Sequence, residues 1–200
     1  MSVVDLIATA DERGLAASGL ACLDRCVPLL GGDDEILRPL WGNLTDDSDP
    51  GGWGDLLDQI RGKLDSVGGG CDDGEGAGVG GSGDGGGGDA VLLARGMLDA
   101  APTARSAAEL REWADACSIA ALRIHRLLDP AADPTPLDSR RAGATEGMPP
   151  LAAAELRRQT NVLEVLAAHG AGGLRRALGE STEGRRILRA VVSRRARGRS

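Results

Sequence analysis

The sequence predicts an all-α fold, an irregular bundle of about seven to nine amphipathic helices with two long flexible loops. Three observations lead there. Apolar residues recur three and four apart along most of the chain, and Ser or Asp stands at the head of several such runs. No stretch of five or more residues alternates with period two and β-branched enrichment, so a sheet is not expected.

Ser2, with Asp5 three residues on, predicts a first helix from Val3 to about Arg13, ended by Gly14. A second runs from about Leu15 to Leu30 with the stripe Leu20, Leu23, Cys26, Val27 and Leu30, and Pro28 and Gly31-Gly32 mark its stop. Asp33 heads a third, Asp34 to about Leu44, which presents Ile36, Leu37, Leu40, Trp41 and Leu44, with Pro39 expected to distort it. Asp49 and Pro50 serve as cap and first-turn proline for a fourth, reaching about Val67 on the stripe Trp53, Leu56, Leu57, Ile60 and Leu64.

From Gly68 to Asp89 the composition changes, with 13 Gly and 5 acidic residues among 22, as in a flexible, self-repelling loop. Asp89 caps a helix from about Ala90 to Ala100. The clearest helix begins at Thr103 or Ser106 and ends at Leu128, with Leu110, Trp113, Ala114, Cys117, Ala121, Ile124 and Leu128 on one side and Ser106 and Glu109 as a capping box. Asp129 to Pro150 holds five prolines in 22 residues and reads as a second loop without defined structure. Helices at about Leu151–His169, Gly173–Leu178 and Thr182–Arg197 complete a single domain, 1–200, interrupted at 68–89 and 129–150 and ending in a basic helix, 182–199.

The 200 residues are 42% hydrophobic but include neither Phe nor Tyr, so the core must come from Leu, Ile, Val and three indoles. Trp113 is expected buried, and Trp41 and Trp53 at least partly so. Net charge is −7 and unevenly placed: residues 1–89 carry 5 basic and 18 acidic side chains, residues 90–200 carry 18 and 12. Of the 23 cations only Lys63 is lysine, a bias of the kind GC-rich coding DNA produces, which weakens any argument from an arginine count.

Met1 to Glu12 lacks the cationic start and apolar run of a secretory signal, and the uncharged stretch Gly14–Leu23 is half the ~20 residues that a membrane-spanning helix needs. No transmembrane segment is expected, and the reading is a soluble, cytoplasmic protein. Cys22, Cys26, Cys71 and Cys117 form no CxxC pair and suit a reducing compartment.

Motifs that carry chemistry are weak. GxGxxG occurs at Gly76, Gly78 and Gly81, but no strand precedes it, and a run so rich in glycine produces the pattern by chance. Asp47, Asp49, Asp55 and Asp58 with Gly52 fall at EF-hand positions, yet Gly51, Gly54 and Pro50 break the loop pattern, so they read as loop, cap and solvated-face residues. Cys22, Cys26, Cys117 and His125 could in principle collect a zinc ion, but buried thiols behaving as small apolar side chains explain the same positions. His169 falls in the last turn before Gly170, where it favours the helix dipole. No catalytic residue, cofactor site or metal site is assigned.

The strongest directional signal is the C-terminal segment. Residues 174–200 carry nine Arg against Glu180 and Glu183, alongside an apolar seam of Ile187, Leu188, Val191 and Val192. Arg185, Arg186, Arg189, Arg194 and Arg195 are the candidate interaction surface. The seam gives this helix a reason to pack, and docking on the acidic N-terminal half is expected. In function the sequence points to a non-catalytic helical protein acting through contacts with another protein, in a regulatory or scaffolding role. The alternatives are a DNA-associated regulator using the Arg-rich helix, and an enzyme with no recognisable motif.

Overall fold

The Ser2 hydroxyl accepts the Asp5 N–H at 3.2 Å while the Asp5 carboxylate accepts the Ser2 N–H at 3.1 Å, a reciprocal cap that starts the first helix. The computed structural model describes residues 1–46, 51–68 and 85–198, and among them every regular element is helical. The helices are α1 (Val3–Thr9), α2 (Glu12–Cys26), α3 (Arg38–Thr45), α4 (Gly52–Gly68), α5 (Gly85–Asp99), α6 (Ala107–Leu128), α7 (Leu137–Arg141), α8 (Pro150–His169) and α9 (Leu174–Arg197). Short 3-10 turns follow α2 and α8. The expected all-α bundle is what forms.

The bundle is built around α2. Asp11 caps it by accepting the Gly14 N–H at 2.7 Å, so it begins a turn earlier than the leucine stripe suggests. Every residue from Gly14 to Cys26 is buried, because α6, α8 and α9 wrap the helix and α3 and α5 touch its remaining sides. Gly19 permits a close approach of α6: a Cβ there would lie 2.6 Å from the Trp113 ring. Trp113 is buried, donates its indole N–H to the Met97 carbonyl at 2.9 Å, and meets Trp53 edge to face with ring centroids 6.3 Å apart. Trp41 and Trp53 are buried as well, and the Trp53 indole N–H is donated to the Pro102 carbonyl at 2.9 Å.

Arg61 of α4 ties that helix to α5. Its Nη2 donates to the carbonyls of Leu98, Asp99 and Ala101 at 3.1, 3.1 and 2.8 Å, at and just beyond the C-terminal end of α5. Arg95 adds ion pairs to Asp65 and Asp99.

Several boundaries differ from expectation for identifiable reasons. The third helix starts at Arg38 because the Asp33 carboxylate accepts the Glu35 N–H at 2.8 Å and holds a turn. Pro39 therefore falls in the first turn, where a missing N–H costs nothing, and it distorts nothing. The fifth helix begins at Gly85 instead of Ala90, in spite of the poor helix propensity of glycine. The two C-terminal helices are one: the hydroxyls of Ser181 and Thr182 are not caps but bond back to the carbonyls of Ala177 and Leu178 at 3.1 and 2.9 Å within α9.

The proline-rich segment 129–150 is likewise structured. It contains α7, and Arg140 pins it by donating Nε and Nη2 to Asp133 at 3.1 and 2.8 Å and Nη1 to the carbonyls of Ala144 and Glu146 at 2.6 and 2.7 Å. Asp129 accepts the Leu151 N–H at 2.8 Å and so closes the segment onto α8. The Gly-rich loop is described only from Gly85, and 69–84, including Cys71 and the GxGxxG glycines, lies outside the described residues, as do Asp47 and Asp49. No helix among the described residues is long and apolar enough to cross a membrane.

Candidate functional site

The densest group of ionisable side chains sits inside the protein. Arg25 of α2 and Glu155 of α8 have no exposed side-chain surface, and they join by two bonds, Nε to Oε2 at 2.7 Å and Nη2 to Oε1 at 2.6 Å. Gln159, one turn along α8, donates to Glu155 Oε1 at 2.9 Å, and its own carbonyl accepts the Ser118 hydroxyl at 2.7 Å. Ser118 in turn accepts from Arg141 Nε at 3.1 Å, and Arg141 Nη2 reaches Asp115. The chain of bonds thus runs from the centre of the bundle to its edge.

Burial alone would raise the Glu155 pKa, but the Arg25 charge holds it below the usual carboxylate value, with hydrogen bonds from Arg25 and Gln159 helping. Arg25 is desolvated as well, and Glu155 more than compensates, so the guanidinium stays charged. Gly184 of α9 closes over the pair: a Cβ there would lie 2.3 Å from Arg25 Cδ.

His125 donates Nδ1–H to the Ala121 carbonyl at 2.7 Å, which turns Nε2 toward Glu155 Oε2 at 3.6 Å. Burial lowers its pKa, so the ring is neutral and the contact is not an ion pair at neutral pH. The three described cysteines are buried and free. Cys22 lies against Arg25 Nη2 at 3.4 Å, yet burial pushes its thiol up to about 12, and burial raises Cys26 and Cys117 in the same way. Such thiols are poor nucleophiles. Among the described residues no group of three or more His, Cys, Asp or Glu is arranged to hold a metal ion. Asp58 of the EF-hand-like positions pairs with Arg61, and Asp55 is exposed on α4.

The five candidate arginines separate into two sets. Arg185 is buried and pairs with Asp24 at 2.6 Å, while its Nε approaches Asp34 at 3.3 Å. Arg189 also holds Asp34. Arg186 and Arg194 are exposed, and Arg195 lines a shallow groove with Val192, Val91 and Pro28. The docked set joins α9 to the acidic N-terminal half, as the charge asymmetry leads one to expect.

Two concavities are large enough to matter. A groove of about 710 Å³ runs between α5 and α6, with Leu93, Met97, Trp113, Ala120 and Leu127 along it and the exposed Asp89 and Arg123 at its margins. Leu92 borders it with 71% of its surface exposed. A pocket of about 400 Å³ lies between the start of α1, the turn after α7 and one face of α8. Neither is lined by Arg25, Glu155, His125 or Gln159.

Sequence reasoning placed none of this network. Arg25 and Glu155 are 130 positions apart, and a charged residue in an amphipathic helix normally faces water. The one available signal was that Asp24 and Arg25 interrupt a stretch otherwise free of charge from Gly14 to Gly32. No protein-family model, curated protein or solved structure matches the chain.

Proposed function

We propose that this chain is a non-catalytic helical protein that binds another protein through the α5–α6 groove. The observation that carries the reading is Leu92: a leucine 71% exposed, next to the exposed Val91, on the wall of the mostly apolar 710 Å³ groove. The groove between two packed helices suits a third, so the partner element is an amphipathic helix that lays its apolar stripe over Leu92, Leu93 and Met97. Arg123 and Asp89 favour an acidic and a basic residue, respectively, beside that stripe.

Two features favour this over the alternatives. Of the groups with strongly shifted pKa values, Cys22, Asp24, Arg25 and Cys26 do not line the groove, and Cys117, which does, is a buried thiol that burial raises well above its ordinary value and so makes a poor nucleophile. For nucleic acid, the continuous basic face on α9 is interrupted, since Arg185 and Arg189 are engaged by Asp24 and Asp34.

The test places a photo-crosslinking residue at position 92 of the full chain in its native cell, with a control at the exposed Glu164. A crosslinked protein whose attachment maps to an apolar helical segment, seen at 92 and not at 164, is the expected result. Leu92→Glu should weaken that complex by at least ~2 kcal/mol and leave the unfolding midpoint unchanged. Crosslinking at neither position, together with duplex DNA binding lost in Arg186→Ala/Arg194→Ala, would overturn the reading in favour of nucleic acid.

A further inference from the structure

The second concavity has a different chemistry. In a chain of net charge −7, the 400 Å³ pocket between α1, the turn after α7 and α8 is lined by three arginines and by no Asp or Glu. Its volume falls in the range of small-molecule sites, roughly 300–1,000 Å³.

The three arginines are not equivalent. Arg140 is consumed by Asp133 and the carbonyls of Ala144 and Glu146. Arg141 directs Nε to Ser118 and Nη2 to Asp115, which leaves Nη1 without a hydrogen-bond partner among the described residues and not fully buried. Its side chain is only 5% exposed and is held by the bond chain that ends at Arg25, so the free nitrogen is fixed in place. Arg157 is exposed, forms no ion pair with a described residue, and stands on the same face of α8 as Ala153 and Asn161. Val3, Ala153 and Leu156 supply apolar wall.

We propose that this pocket binds a small carboxylate: a molecule with one carboxylate head, received by Arg141 and Arg157, and a short apolar body against Val3 and Leu156. A planar carboxylate matches guanidinium donors. A phosphate dianion is less suited, because the backbone N–H groups of Gly143 and Thr145 are already donated to the carbonyls of Arg140 and Gly143 at 3.1 and 2.9 Å and cannot form an anion-binding nest. The site is independent of the groove beside Leu92.

The test titrates the full chain with sodium hexanoate, using sodium chloride and inorganic phosphate at equal ionic strength as references. Amide and guanidinium spectra and the thermal midpoint are followed. Saturable shifts at Thr145, Asn161 and Arg141 Nε, with a raised midpoint, are expected from hexanoate alone. Arg157→Ala should weaken hexanoate about tenfold, Arg157→Lys less, and Ala153→Phe, which fills the pocket without touching a charge, should abolish binding. Arg141 is left intact because its replacement would strand Asp115 and Ser118. Hexanoate shifts no larger than those from chloride would overturn the proposal. So would phosphate binding as tightly as hexanoate, or wild-type affinity in both Arg157→Ala and Ala153→Phe.

Discussion

Asp24 and Arg25 are neighbours on α2, both buried and each salt-bridged to a distant helix, yet the two pairs they form are electrostatically opposite. In the Arg25–Glu155 pair each carboxylate oxygen accepts at least one hydrogen bond, and the pKa of Glu155 is held low. In the Asp24–Arg185 pair one oxygen accepts at 2.6 Å and the other, Oδ2, is buried with no partner. Burial then raises Asp24 to about 6, against the opposing pull of Arg185 and Arg25. The difference teaches that depth does not fix the charge state of a buried carboxylate: the number of donors it receives does.

The largest expected effect comes from breaking the Arg25–Glu155 pair. Arg25→Ala leaves the Glu155 carboxylate buried without its counter-ion and should cost about 3–5 kcal/mol in denaturant unfolding. The double variant Arg25→Met/Glu155→Leu removes both charges and should be markedly more stable than Arg25→Ala. A double variant as unstable as the single would mean that the pair stabilises through packing and not by cancelling charge.

Gly184→Ala ranks next. Its Cβ, 2.3 Å from Arg25 Cδ and 3.1 Å from Arg158 Cδ, forces α9 or the Arg25 side chain to move. A loss of about 1–3 kcal/mol is expected. Because α9 also carries Arg185, both pairs should be disturbed together, visible as simultaneous shifts in the carboxylate signals of Glu155 and Asp24.

Asp24 makes the pH test. Its folded pKa, about 6, lies above the unfolded value of 3.8, so the stability it contributes is full below about pH 4 and is lost as pH rises through 6. Asp24→Asn removes that dependence. The stability of the wild type minus that of Asp24→Asn should therefore fall between pH 4 and 6, a subtraction that cancels His125, whose lowered pKa acts in the opposite direction. A flat difference would show that Asp24 is as well satisfied as Glu155.

Arg189→Ala probes the rim of the second pair and should have the smallest effect, within about 1 kcal/mol, because both Arg189 and Asp34 are nearly half exposed and screened by water. The Asp34 carboxyl, now held below its usual value chiefly by the Arg189 hydrogen bond, should rise toward that value in an NMR titration.

Local chemistry was legible along the chain. The Ser2–Asp5 and Ser106–Glu109 caps, the α6 stripe and the burial of all three tryptophans follow from residue type at short spacing, and the structure has them. Boundaries failed where a local signal had two physical meanings. Ser181 and Thr182 look like caps but bond backward inside α9, and prolines between 129 and 150 look like a loop although Arg140 and Asp133 hold it.

The sequence by itself therefore determined the helical class, most of the helices and the apolar residues that face inward, because those depend on periods of three and four and on caps within one turn. It also carried the charge asymmetry that makes α9 and the acidic half complementary. Only the tertiary structure decided that α2 is buried on every side, that Arg25 meets Glu155 across 130 positions, and that a groove lies by Leu92 and a cationic pocket by Arg157. The physical reason is range: a periodic stripe shows which side of a helix is apolar, whereas the number of helices that pack around it, and the donors they bring to each buried charge, depend on how the whole chain closes.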